Sequence, residues 1–180
     1  MTDIFDYVMV ENILSKQECE VITSILNDRS NWSPHTWYNN ANEEYSNEKD
    51  FTIAYDTTVS RLIKPNVISA VKQYSAKHKD SGPTYSFSAV RINRYQQDES
   101  IQEHVDHIHS LFDGEKKGIP ILSFVGLFND DFEGGDFILA GKKIDLKAGD
   151  VVVFPSIFIY PHQVTTVTKG TRYSWVMWTY

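Results

Sequence analysis

The second half of the chain is a succession of short apolar runs separated by turn residues. The runs are rich in Val, Ile, Phe and Tyr, and Gly134, Gly141, Gly149 and Gly170 mark four of the turns between them. A chain of closely spaced strands favours a double-stranded β-helix, or jelly roll, which can enclose a ligand cavity. The pattern predicts about seven strands, at residues 85–95, 101–107, 121–128, 137–140, 151–154, 162–168 and 172–180.

Two helices are predicted before these strands. Ser15 and Glu18 have the spacing of a capping box, and apolar residues recur behind them at helical intervals, which predicts a helix over 16–27. A second apolar stripe predicts a helix over 66–78, with Pro65 in its first turn.

Length and composition describe one globular unit. The 180 residues are 41% hydrophobic and 23% charged, which suits a single domain with an adequate core. We expect one domain over 1–180, mainly β with flanking helices. Helical support at about 1–80 would precede a jelly-roll core at about 81–180.

Charge and cysteine content restrict the partners. The formal net charge is −7 and the pI is about 5.3, so the surface as a whole does not attract phosphate backbones. Cys19 is the single cysteine, which excludes an intramolecular disulfide and fits a reducing compartment. The start of the chain does not resemble a signal peptide, and the apolar runs are too short to cross a bilayer. We expect a cytoplasmic protein with no nucleic-acid and no membrane partner.

Residues 31–50 combine many asparagines with large aromatic side chains. Trp32, Trp37 and Tyr45 lie in a stretch that is too polar to form a core by itself. Two interpretations stay open, a polar surface loop and a lid that grips a substrate. His35, in this polar stretch, is expected to be solvated.

The first candidate metal ligands are His104 and Asp106. Residues i and i+2 of a strand project from the same face, so this imidazole and this carboxylate would point into one space. His162, in the segment Tyr160-Pro161-His162, is the distal candidate. Two histidines and one carboxylate form the facial triad of non-haem Fe(II) oxygenases, which leaves coordination positions open.

Arg172 follows His162 in the next predicted strand. If residues 169–171 form a hairpin loop, Thr168 pairs with Arg172 and His162 pairs with Trp178, so that a guanidinium shares a face with the distal histidine. The planar guanidinium can make two parallel hydrogen bonds with a carboxylate. A dicarboxylic keto acid could then chelate the metal at one end and meet Arg172 at the other.

These elements together resemble the Fe(II)- and 2-oxoglutarate-dependent oxygenases, in particular their prolyl 4-hydroxylase-like branch. Tyr95 stands nine residues before His104, a Gly-Gly turn lies in Phe132-Glu133-Gly134-Gly135-Asp136, and Thr171-Arg172-Tyr173 followed by Trp178 is similar to the family's last strand. The resemblance covers about residues 85–180 and the opening segment at 7–26.

The resemblance implies a set of cofactors and roles. Fe(II) would be held by His104, Asp106 and His162, and 2-oxoglutarate by Arg172 with help from Tyr95. O2 would be the second cosubstrate, with ascorbate as an accessory reductant. Trp178 matches a tryptophan that lines the substrate site, which favours a prolyl residue of a peptide or protein as the substrate. Hydroxylation would release succinate and CO2.

Two departures from the family pattern and several alternatives remain. The family has a glycine shortly after the tyrosine, where this chain has residues 96–99, and Leu127 stands where some members have a second tyrosine for the distal carboxylate. His107 and His109 with Asp113 resemble a fragment of a cupin metal motif. The alternative functions are hydroxylation of a free amino acid or small metabolite, and a non-catalytic jelly-roll or cupin-like metal-binding module.

Overall fold

A computed structural model describes residues 3–38, 43–81, 86–106 and 120–180. Two α-helices, α1 (Lys16–Asn27) and α2 (Thr57–Lys77), are accompanied by short 3-10 turns at Ile4–Tyr7 and Lys79–Ser81. The strands are β1 (Met9–Asn12), β2 (Ser33–Pro34), β3 (Trp37–Tyr38), β4 (Glu44–Tyr45), β5 (Thr52–Ala54), β6 (Arg91–Tyr95), β7 (Ile101–His104), β8 (Leu122–Leu127), β9 (Glu133–Gly134), β10 (Phe137–Leu139), β11 (Lys142–Ile144), β12 (Asp150–Pro155), β13 (His162–Val164), β14 (Val167–Lys169) and β15 (Arg172–Thr179).

Two antiparallel sheets form the jelly roll. The larger sheet has the order β1-β12-β8-β15-β6-β5-β2, and the smaller one has the order β11-β10-β13-β7. Two further strand pairs, β14-β9 and β3-β4, complete the described strands. The prediction of a mainly β jelly roll with flanking helices is therefore confirmed. Three strands of the larger sheet, β1, β2 and β5, come from the first 80 residues.

Side chains of the large sheet point alternately to its two faces, and each face has its own hydrophobic core. On β15, Trp175 faces the helices and packs with residues such as Ile22 and Val67, whereas the neighbouring Val176 faces the smaller sheet. This is the period-2 pattern of a sheet covered on both faces. The inner core, between the two sheets, surrounds the polar residues described below.

The first helix begins where the sequence predicts. The Ser15 side chain accepts a hydrogen bond from the Glu18 backbone N–H at 3.2 Å, and the Glu18 carboxylate accepts one from the Ser15 backbone N–H at 2.7 Å. The helix buries Cys19 and Ile22 against the large sheet. Burial raises the pKa of the Cys19 thiol to about 11, in keeping with a structural role.

The second helix is nine residues longer at its start than predicted. It begins at Thr57, because the Asp56 carboxylate accepts hydrogen bonds from the backbone N–H groups of Thr58 and Val59. Pro65 thus lies inside the helix and not in its first turn. The buried side chains of the added turns, Val59 and Ile63, supply the hydrophobic burial that offsets the cost of an internal proline, roughly 3 kcal/mol.

No helix in the described ranges is both long and apolar enough to cross a membrane.

Candidate metal and cosubstrate site

His104 and His162 lie side by side on adjacent strands of the smaller sheet. His104 ends β7, His162 begins β13, and the two residues are direct partners in the antiparallel register. Their ring centroids are 4.3 Å apart. Asp106 follows β7 after one residue. The donor atoms of the three residues all lie within 4.8 Å of one another.

Backbone carbonyls orient both imidazole rings. The Nδ1 atom of His104 lies 2.9 Å from the Gln102 carbonyl oxygen, and that of His162 lies 3.1 Å from the Tyr160 carbonyl oxygen. Since a carbonyl only accepts, each Nδ1 carries the hydrogen, which leaves the Nε2 lone pair free. The two Nε2 atoms lie 3.9 and 3.7 Å from the Asp106 oxygens. Burial lowers the pKa of His104 to about 4, which keeps this ring neutral and able to act as a ligand.

Two serines hold the Asp106 carboxylate. The Ser123 hydroxyl donates to Asp106 Oδ2 at 2.6 Å, and the Ser156 hydroxyl lies 2.7 Å from that of Ser123. Burial by itself would raise the pKa of Asp106, but the two histidines and Ser123 outweigh it and lower this pKa. A carboxylate and two oriented imidazoles are the donor set of a facial Fe(II) site, so the residues present fit this metal.

Arg172 faces these residues from the larger sheet. Its side chain is fully buried, its Nε donates to the Gly135 carbonyl at 3.1 Å, and its Nη1 donates to the Ser174 hydroxyl at 2.7 Å. The guanidinium carbon lies 5.2 Å from the ring centroid of Tyr95. No carboxylate forms an ion pair with Arg172 in the part of the chain that the structure describes. A buried cation without a counter-ion is costly, and this cost favours an anionic ligand.

One narrow cavity connects the three metal-ligand candidates with Arg172. Tyr95, Trp178 and Ser174 also line it, so the structure brings together every residue singled out for the site. Tyr95 is buried and stacks on Phe51 with ring centroids 4.5 Å apart. Trp178 is partly exposed, and its position beside the triad marks the open end of the cavity.

The convergence does not come from the predicted hairpin. His162 pairs with His104, while Trp178 pairs with Ser123 and Arg172 pairs with Tyr95. The turn at 169–171 joins two strands, β14 and β15, that belong to different sheets. His162 and Arg172 therefore meet across the space between the sheets, and the predicted pairing was wrong.

Comparison with known families decides the class. The sequence model of the 2OG-Fe(II) oxygenase superfamily matches residues 90–180, which are half of the chain and include every residue that lines the cavity. The chain belongs to the 2OG-Fe(II) oxygenase superfamily.

Relatives of this oxygenase are found among bacterial proteins. A PKHD-type hydroxylase from Acinetobacter baumannii strain ATCC 17978 is 35% identical over 94 residues, which cover 48% of this chain and 40% of that protein. A PKHD-type hydroxylase from Acinetobacter baumannii strain SDF is 26% identical over 183 residues, covering 94% of this chain and 75% of that protein. The first match thus spans less than half of its relative's length.

A solved structure has the same fold. The Trichoplax adhaerens prolyl hydroxylase, solved with a peptide fragment of the hypoxia inducible factor oxygen degradation domain, superposes with a TM-score of 0.73 at 18% identity. The superposition covers 97% of this chain and 84% of the other.

Both departures from the oxygenase pattern have a structural counterpart. Asp98 adopts φ 69°, a left-handed conformation that glycine reaches more easily, within the segment where the family has glycine. Leu127, which stands where some family members have a tyrosine, has no hydroxyl group to offer Arg172. The Arg172 side chain instead donates hydrogen bonds to the Ser174 hydroxyl and the Gly135 carbonyl. His107, His109 and Asp113 of the cupin alternative lie outside the described residues.

Part of the 31–50 segment contributes to the site. Trp37 contacts His104 edge to face, with ring centroids 5.5 Å apart, and its indole N–H donates to Asp50. His35 is buried and stacks on Phe51, so the expectation that it is solvated was wrong. Trp32 instead stacks on Tyr173 beside the helical core and has a structural role.

Three residues at the site, Ser123, Ser156 and Arg91, were not predicted from the sequence. Ser123 is a polar residue within an otherwise apolar run. Arg91, Asn93 and Tyr95 have period-2 spacing, so strand alternation would place these three side chains on the same inner face. Ser156 follows its strand and had no comparable signal.

Proposed function

We propose that this protein is an Fe(II)- and 2-oxoglutarate-dependent oxygenase that hydroxylates a prolyl residue of a peptide or protein. The observation that carries the proposal is the buried Arg172, which has no ion-pair partner among the described residues and faces two histidines and a carboxylate across the cavity. A metal chelator with a distal carboxylate satisfies both ends of such a cavity. 2-Oxoglutarate has this chemistry.

The reaction consumes one 2-oxoglutarate and one O2 for each C–H bond. One oxygen atom enters the new hydroxyl group, the other enters the succinate carboxylate, and CO2 leaves. Fe(II), held by the Nε2 atoms of His104 and His162 and the carboxylate of Asp106, would supply the activation of O2. Ascorbate would act as an accessory reductant.

The protein's own backbone and side-chain groups position the reactants. The Gln102 and Tyr160 carbonyls hold the histidine rings in the ligating tautomer, and Ser123 holds the carboxylate. Arg172 would bind the far carboxylate of 2-oxoglutarate through its fork, beside the Tyr95 ring. The apolar inner core around the cavity excludes water from the reacting groups.

The prolyl substrate is supported by the exposed end of the cavity. Trp178 and Trp37 flank the triad, and aromatic faces suit a flat and rigid proline ring. The Trichoplax adhaerens enzyme with the same fold is a prolyl hydroxylase solved with a peptide. We further propose a cytoplasmic setting, which the single cysteine fits. The net charge of −7 argues against a nucleic-acid or membrane partner.

Two other functions compete with this proposal. Hydroxylation of a free amino acid or small metabolite would use the same iron centre and a smaller substrate. A non-catalytic metal-binding module would bind the metal without oxidising 2-oxoglutarate, but such a module has no need of a buried Arg172 beside the triad.

Mass spectrometry separates the three functions. Purified protein is incubated with Fe(II), 2-oxoglutarate, ascorbate and either a panel of proline-rich peptides or free amino acids, and succinate and substrate mass are measured. Gain of one oxygen atom on a prolyl residue supports the proposal. Stimulation of succinate formation by free amino acids alone supports the second function. Absence of succinate under all conditions contradicts both enzymatic functions.

A further inference from the structure

A second arginine lines the cavity at the end opposite to Arg172. Arg91, Asn93 and Tyr95 occupy alternate positions of β6, and all three face the cavity. In the sheet register Tyr95 pairs with Arg172, and Arg91 pairs with Val176. Four residues along a strand place the two arginine backbones about 13 Å apart.

The surroundings of Arg91 hold its guanidinium beside the site. The guanidinium carbon lies 5.4 Å from the Trp178 ring centroid and 5.8 Å from that of Phe51. Its Nε donates to Asn93 Oδ1 at 3.1 Å. These contacts fix the position of the group, and they leave the terminal nitrogens without a hydrogen-bond partner among the described residues.

Arg91 lacks a neutralising carboxylate among the residues that the structure describes. Within the described ranges no Asp or Glu forms an ion pair with it. Asp106 is the carboxylate that attracts it electrostatically, but that group already accepts from Ser123 and belongs to the proposed metal site. A partly buried guanidinium without an ion-pair partner among the described residues favours an anionic partner from outside the chain.

The degree of exposure distinguishes the two arginines. Arg172 is 1% exposed, which suits the enclosed end of a small cosubstrate. Arg91 and its neighbour Trp178 are partly exposed, as is His104. Arg91 therefore lies at the open end, where the primary substrate would enter.

We propose that Arg91 is a substrate-recognition residue that binds a carboxylate adjoining the residue to be hydroxylated. The inference rests on the proposed function, because it assigns the substrate class of the same site. The carboxylate has two sources, an acidic side chain next to proline in a peptide or the free α-carboxylate of an amino acid.

Matched substrate pairs test the proposal with the Fe(II)- and 2-oxoglutarate-loaded protein. The first pair compares proline peptides that carry Glu next to proline with the same peptides carrying Gln at that position. The second pair compares free proline, which has a carboxylate, with prolinamide, which has none. We expect the acidic member of one pair to have a kcat/KM about ten- to a hundredfold higher, which corresponds to one charge-assisted contact. The pair that shows the preference identifies the source.

Arg91→Gln should remove the preference, and Arg91→Lys should retain part of it. Arg94→Gln is the matched control, since Arg94 lies on the same strand but points to the outer face, over Trp32 and against Thr52. In all three variants the KM for 2-oxoglutarate and the visible absorption of the Fe(II) chelate should match the unmodified protein. A weakened chelate in Arg91→Gln would assign Arg91 to the cosubstrate and overturn the proposal.

Binding of the same pairs is measured without O2, and succinate formation is measured in parallel with O2 present, because turnover consumes O2. Together the two measurements separate the two levels of inference. Succinate formation without any acidic preference would refute the role of Arg91 and leave the oxygenase proposal intact. An Arg91-dependent preference in binding, without succinate, would refute the oxygenase proposal and leave the carboxylate subsite intact.

Discussion

At the residue scale, the site depends on polar groups whose partners are fixed before any ligand binds. The histidine tautomers are set by two backbone carbonyls, and the carboxylate is set by Ser123. The convergence of His104 and Asp106 was predictable from their His-x-Asp spacing, although β7 ends at His104 and Asp106 lies two residues beyond the strand. Their orienting partners were not, since carbonyl positions depend on the folded backbone.

Loss of one ligand should abolish both metal binding and turnover. His162→Ala leaves one imidazole and one carboxylate, too few to hold Fe(II) in a facial site. We expect loss of stoichiometric Fe(II) binding and no succinate formation. His78→Ala, which removes a histidine that contacts Tyr7 and Tyr74 away from the cavity, is the control. Iron-dependent activity that survives in both His104→Ala and His162→Ala would rule out the assignment.

Loss of the buried Arg172 side chain should weaken the binding of 2-oxoglutarate in particular. Arg172→Ala removes a desolvated charge pair that contributes about 2–5 kcal/mol in buried interfaces. The apparent KM for 2-oxoglutarate should therefore rise by about thirtyfold or more, as measured by succinate formation over a range of 2-oxoglutarate concentrations. Arg172→Lys should have a smaller effect, because it keeps the charge but not the fork. Unchanged kinetics in the alanine variant would contradict this role.

At the element scale, close packing between β8 and β15 restricts which residue can occupy one position of the large sheet. Gly126 on β8 pairs with Trp175 on β15, and an added Cβ would lie 2.1 Å from the indole ring. The fully buried indole therefore occupies the space that any larger residue at position 126 would need. This close approach is the physical reason for a glycine within an otherwise apolar strand.

Gly126→Ala should destabilise the fold without a direct effect on the site. Overpacking costs typically 1–3 kcal/mol, and we expect the free energy of unfolding to fall by about this amount or more. Denaturant titration monitored by tryptophan fluorescence measures it. Gly141→Ala is the control, because an added Cβ there meets nothing within 4 Å and only its φ of 76° adds strain, about 1 kcal/mol. Equal losses in both variants would contradict the packing argument.

The elements differ in how far the sequence specifies them. The first helix was predicted to the residue because its capping box is a local signal. The start of the second helix was misplaced because Pro65 was taken as its beginning, although Asp56 carries the stronger cap. The hairpin at 169–171 was misassigned because strand partners in a jelly roll are distant in sequence, and the local turn does not determine them.

At the scale of the whole molecule, an N-terminal segment reaches across to the site built by the second half. Trp37 lies against His104, and Asp50 accepts from its indole and from Asn47. Phe51, at the end of the segment, stacks on Tyr95. Composition had left open a surface loop or a lid, and these contacts place part of the segment against His104 and Tyr95.

The lid hypothesis predicts a coupled response of this segment. Hydrogen exchange in residues 31–38 and 43–50 should slow when a proline-containing peptide binds together with 2-oxoglutarate, because closure would order the backbone over the cavity. Trp37→Ala should reduce peptide hydroxylation much more than uncoupled 2-oxoglutarate decarboxylation, since the indole contacts the open end and not the Arg172 end. Tyr45→Ala is the control, because Tyr45 pairs with Trp37 in the β3–β4 hairpin but its side chain is 41% exposed. A parallel fall of both activities in Trp37→Ala would make the segment a structural support for His104, and no change in either would make it a surface loop.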